Sequence, residues 1–190
     1  MTVSDDQTPP ALLVIDMISL LDFPRAAAMA PRAVAASRKI HLLRRGFHER
    51  DWPVVFVNDN FARWHSDFRE QVAMAMQAGG APREIAIRLD PGPRDHFVLK
   101  PKHSAFLATP LAVLLAKQKV RRLLLTGMAL ESCVLATAIE ANSREFEVGV
   151  VRDAVAGLPQ LAAPTLRVLE GAGTAKVLGS RAALRWAGGN

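Results

Sequence analysis

Short, unbroken apolar runs recur along the chain, separated by longer stretches in which apolar residues return every three or four positions. The runs fall at residues 11–15, 54–57, 97–99, 122–126 and 147–151, with a weaker sixth at 175–178. They lack polar alternation, as expected of strands covered on both faces. The stretches between them predict helices at about 25–50, 66–78, 110–119, 131–145 and 161–171. Strand and helix in turn predict an α/β protein: a three-layer, six-stranded, mostly parallel sheet of Rossmann type, flanked by helices. Residues 79–94, with Gly79-Gly80, Pro82, Pro91, Gly92 and Pro93, break the rhythm and read as a long connection holding a short strand near 85–87. Long connections of this kind are often binding elements. With no repeat, low-complexity tract or dividing linker, residues 1–190 read as one domain.

Composition adds exclusions. Half of the 190 residues are hydrophobic, enough to build a core without disulfides or structural metals. The start, MTVSDDQTPP, lacks the basic residues and apolar run of a secretory leader. No stretch approaches the roughly 18 consecutive apolar residues of a membrane span. The expectation is a soluble, cytoplasmic protein. A net charge of +6 raises the question of an acidic partner. However, the densest basic group, Arg38, Lys39, Arg44 and Arg45, shares a helix with Ile40, Leu43 and Phe47 spaced for its opposite, buried face. That group reads as a solvated helix face. No nucleic-acid-binding motif accompanies it, so no nucleic-acid partner is expected.

Candidate chemistry collects at strand ends, where open parallel sheets bind ligands. The first run stops on Asp16, the third on Lys100, and the fourth leads through Met128-Ala129-Leu130 to Cys133 at a helix start. Each residue alone has an ordinary reading: a turn aspartate, a solvated lysine, a buried small thiol. Together they suit nucleophilic catalysis. A helix N-terminus and a nearby ammonium both favour the thiolate, and a carboxylate can take the thiol proton and return it to a leaving group.

Three segments, ALLVIDM, FVLKPKHSAF and LLLTGMALESCVLATAIEANSREFEVGVVRDAV, resemble the signature segments of the isochorismatase-like cysteine hydrolases, which include nicotinamidases and N-carbamoylsarcosine amidohydrolases. The likeness extends over residues 11–178. It implies Asp16 as general base and acid, Lys100 as electrostatic partner and Cys133 as nucleophile. It also implies a cis peptide between Met128 and Ala129, aiming the Ala129 and Cys133 N–H groups at a developing oxyanion. Members usually assemble as homo-oligomers, dimers or tetramers. Nicotinamidases bind a metal through an Asp-x-His element and a further His after the second strand. Here that region reads NDNFARWH, with only Asp59 and His65 as ligand types, a poor set. Neither metal nor other cofactor is therefore expected.

Asn58, Trp64, Phe106 and Met128 stand near the same edge as candidate substrate contacts, with Trp64 able to stack on a planar group. His103 reads as a solvated or hydrogen-bonded loop histidine, and Asp153 as a structural carboxylate. The function these residues predict is hydrolysis of a C–N bond, amide or ureido, in a small molecule through a thioester. The alternatives are isochorismatase-type ether hydrolysis by Asp16 as an acid, and a non-catalytic binding protein on the same scaffold.

Overall fold

The computed structural model describes residues 8–189. Most of the acidic start used in the leader argument lies outside them. In chain order the elements are β1 (Ala11–Ile15), α1 (Ala26–His48), β2 (Val54–Asp59), α2 (Phe68–Gln77), α3 (Gly80–Leu89), β3 (His96–Lys100), α4 (Leu111–Lys117), β4 (Arg122–Met128), a π-helical turn (Leu130–Val134), α5 (Leu135–Ser143), β5 (Glu147–Ala156), α6 (Pro159–Gly171), β6 (Lys176–Leu178) and α7 (Ser180–Ala187). The six strands pair in the order β3-β2-β1-β4-β5-β6, and every pairing is parallel.

The unbroken apolar runs have a direct cause. Leu12, Val14 and Leu124 point into a core shared with α1, α2, α3 and α7. Ala11, Leu13, Ile15, Leu123 and Leu125 point into a second core beneath α4, α5 and α6. Successive strand side chains alternate faces, so a strand sandwiched between two helix layers needs an apolar residue at every position.

Several elements differ from the sequence expectation. Residues 80–89 form helix α3, not a connection with a short strand. Ile85, Ala86 and Leu89 supply its buried face at helical spacing, and Arg88 pairs with Glu84 one turn earlier. Pro82 lies in the first turn, where backbone N–H groups lack intrahelical acceptors and a proline costs little. Helix α7 extends the chain beyond the last expected strand and packs on α1, burying Ala183 and Ala187. Strand β5 runs on to Ala156, with a register shift that brings Val155 and Ala156 beside Gly127 and Met128. Among the described residues, no helix is long and apolar enough to cross a membrane.

Candidate active site

Four adjacent strands each deliver one ionisable group to the carboxyl edge. Asp16 follows β1, Asp59 closes β2, Lys100 closes β3, and Cys133 lies in the π-helical turn after β4. The strand order reverses direction at β1, which lies between β2 and β4, so the groups gather at the topological switch point.

Asp16 is held in the left-handed region at φ 52°, a conformation that aspartate tolerates better than most residues. Its N–H donates to the Val57 carbonyl at 2.9 Å, and its Oδ1 accepts from the Asp59 N–H at 2.6 Å. The next turn is pinned by Asn58. Its Oδ1 accepts from the Ile18 N–H at 3.2 Å, while its Nδ2 donates to the Ile18 carbonyl at 2.6 Å and to Gln71 Oε1 at 3.0 Å.

Lys100 is completely buried, and its ammonium is the hub. Nζ lies 2.9 Å from Asp16 Oδ2, 3.2 Å from Asp59 Oδ2 and 3.6 Å from Cys133 Sγ. The parallel register sets Asp59 directly beside Lys100. The Asp16 carboxylate also faces the thiol closely enough to act on its charge. Behind Cys133, Ala129 O accepts from both the Ser132 and Val134 N–H groups, which forms the wide turn; such π turns are frequent at functional sites. The Met128–Ala129 peptide is cis. Gly127, at φ 106°, leads into it, and a Cβ there would come within 2.0 Å of the Ile15 carbonyl oxygen. Only glycine fits between β4 and the residue preceding Asp16.

One ammonium faces two carboxylates and a thiol, and this imbalance fixes the proton positions. Burial raises the Asp16 pKa, and the pull of Lys100 only partly offsets it. Burial works against the charged Lys100, but the Asp16, Cys133 and Asp59 charges prevail and raise its pKa. Burial and the neighbouring Asp16 together push the Cys133 thiol up to about 12, against the opposing effect of Lys100. Lys100 acts in the expected direction, towards the thiolate, but burial and Asp16 outweigh it. A resting thiolate would add a second uncompensated negative charge to a buried cluster. The resting site therefore favours the neutral thiol and the charged ammonium.

The other candidates fall in different surroundings. Asn58 is fully buried with its amide engaged, so it bears on the site through the turn after Asp16. Met128, 2% exposed, ends β4 and packs into the α1-side core. Phe106 is buried against Phe146, with ring centroids 5.9 Å apart. Trp64 projects from the loop after β2 and is 74% exposed. His103 Nδ1 meets Ser132 Oγ at 3.2 Å, next to the nucleophile. Asp153 bonds the N–H and hydroxyl of Ser180. Asp59, considered from sequence only as a metal ligand, is instead the second carboxylate on Lys100, and its Oδ1 also accepts from the Phe61 N–H at 2.8 Å. His65 is exposed in the same loop. Among the described residues, no three His, Cys, Asp or Glu side chains converge as a metal-binding group.

An open parallel sheet with reactive groups at its switch point defines an α/β enzyme acting on small molecules. The chain belongs to the isochorismatase family: the Isochorismatase domain profile matches residues 10–172. It is 32% identical over 146 residues to the uncharacterized isochorismatase family protein YaaI of Bacillus subtilis, covering 77% of this chain and 80% of that one. It is 31% identical over 152 residues to the ureidoacrylate amidohydrolase RutB of Methylorubrum extorquens, covering 73% of this chain and 61% of the relative. Among solved structures, the N-carbamoylsarcosine amidase of Thermoplasma acidophilum superposes with a TM-score of 0.68 at 26% identity, over 90% of this chain and 96% of that one.

Proposed function

We propose that this isochorismatase-family hydrolase cleaves an amide or ureido C–N bond of a small molecule through a thioester on Cys133. The observation that carries the reading is the single ammonium of Lys100, 2.9 Å from Asp16 and 3.6 Å from the Cys133 sulfur. That placement sets base and nucleophile on one positive charge. The amidohydrolase and amidase named above, both acting on ureido-type substrates by their names, support the same bond class.

Because the resting group is a thiol, proton transfer to Asp16 accompanies attack of sulfur on the substrate carbonyl. The developing oxyanion rests on the Ala129 and Cys133 N–H groups. Asp16, whose pKa burial raises, then protonates the departing nitrogen as the C–N bond breaks. Water, deprotonated by Asp16, adds to the thioester, or to the thiocarbamate formed from a ureido group; the carboxylic or carbamic acid leaves and the thiol regains its proton. Lys100 compensates the carboxylate charge throughout. Intact-mass spectrometry after mixing with ureido acids and primary amides should show an acyl adduct that Cys133→Ala lacks. Full turnover by Cys133→Ala on the preferred substrate would overturn the assignment.

The raised Asp16 pKa also favours a second reading, ether hydrolysis with Asp16 as acid and no covalent step. Turnover lost in Asp16→Asn but kept in Cys133→Ala would select it.

A further inference from the structure

Most arginines that pack against the body of the protein have acidic partners. Arg44 pairs with Asp95, Arg88 with Glu84, Arg122 with Glu147 and Arg144 with Glu140. The cleft at the carboxyl end of β6 instead gathers exposed cations at one place. Its volume is about 470 Å³, and Lys39, Arg152, Asp153, Ser180, Arg181 and Arg185 line it. Among the described residues, none of these three arginines forms an ion pair. Four cations against one carboxylate leave the cleft at +3.

The one carboxylate is already committed. Asp153 accepts from the Ser180 N–H at 2.8 Å and from the Ser180 hydroxyl at 2.6 Å, at the start of α7. Burial works to raise its pKa, but these bonds prevail and hold it below the ordinary carboxylate range. It stays ionised and interacts with Lys39, so it offsets one of the four positive charges and leaves three.

The cations come from three elements, α1, β5 and α7, which pack together in one core, so their convergence is set by the fold. Gly179 contributes room at the base: a Cβ there would press to 3.2 Å from Arg152 Nη2. Like charges held together at a concave surface raise the local potential, which a polyanion lowers. Arginine forks match phosphate oxygens in two-point contacts, which a lone surface lysine does not. A cleft of this size holds a compact ligand.

We propose that this cleft binds a free small molecule carrying a diphosphate group, at a site separate from the catalytic one. Lys39, read from sequence as part of a solvated helix face, becomes one wall of it.

Calorimetric titration of the full chain with inorganic pyrophosphate tests the proposal. One saturable event per chain is expected. Its affinity should fall at least about tenfold in Arg152→Ala/Arg181→Ala, the loss expected from two charged hydrogen-bonding partners. The control Arg83→Ala/Arg167→Ala removes the same charge elsewhere and should bind like the parent protein. Circular dichroism melts of both variants establish that each is folded. Absence of saturable binding, or equal loss in the two double variants, would overturn the proposal. So would duplex DNA binding tighter than pyrophosphate through the same arginines, which would make the cleft a nucleic-acid surface. A parent oligomer that dissociates on Arg152→Ala/Arg181→Ala would reassign it as a contact between copies.

Discussion

Strand β3 carries a buried charge cluster at each end, and the two are built to opposite rules. Just before the strand, Asp95 receives two bonds from Arg44, at 2.9 and 2.6 Å, one from His48 at 3.0 Å and one from the Gly92 N–H at 2.8 Å. Burial and the nearby Arg44 hold His48 below its ordinary pKa against the pull of Asp95, so Arg44 supplies the countercharge. One anion meets one cation, and its lone pairs are engaged. At the strand's other end Lys100 meets two carboxylates and a thiol. There the acceptors outnumber the cation, and a proton must be shared among them. Balanced burial holds structure together, whereas unbalanced burial leaves a proton free to move.

The largest effect that can break this contrast is on turnover. Asp16→Asn keeps the shape but removes the proton carrier, and kcat should fall by about 10²–10⁴-fold with the melting temperature little reduced. A variant that melts far lower while its folded fraction keeps its rate would make the Lys100 cluster merely structural. Asp95→Ala should do the reverse. It strands Arg44 and should cost about 3 kcal/mol in urea unfolding, with kcat of the folded protein unchanged.

A subtler effect concerns the thiol. With Cys133 pushed up to about 12, its alkylation rate by iodoacetamide should still be climbing at pH 10. In Asp16→Asn the profile should shift to lower pH, because a neighbouring negative charge is gone. A plateau below pH 9 in the parent protein would show that the thiolate is favoured after all.

The smallest effect belongs to an exposed carboxylate, Asp153, which caps α7 through Ser180. Asp153→Asn should cost about 0.5–1 kcal/mol. The folded pKa is depressed, so this contribution is present above the unfolded value near 3.8 and is lost as pH falls through the folded one. Parent and variant stabilities should therefore converge in acid. A gap that widens below pH 4 would reverse the sign.

Asp16, Lys100 and Cys133 were legible because strand ends can be found from apolar runs, and the topology rule says that ligands bind there. Asp59 was missed as their partner because β2 runs two residues past Val57, and only the register with β3 sets Asp59 beside Lys100. The direction of the thiol's shift was illegible for a related reason. A sequence shows that a lysine is available, not that burial and a facing carboxylate together outweigh it. Helix α3 was hidden by its own punctuation, since Gly79, Gly80 and Pro82 mark its entry and not a break. Trp64 shows the converse: its residue type suggested a wall, and its placement is 74% exposed.

Placing one ionisable group at or just beyond each of four adjacent strand ends has a consequence for engineering. The spacing of those groups is written into the hydrogen-bond ladder of the sheet, and Gly127 is the tightest joint of that frame. The exposed parts of the loops after β2 and β3 hang from the frame without composing it, whereas Ala105 and Phe106 are core. A library confined to residues 61–65 and 102–103 would thus search for new selectivity while leaving the frame untouched, a division of labour that lets one trait be rewritten without editing the other.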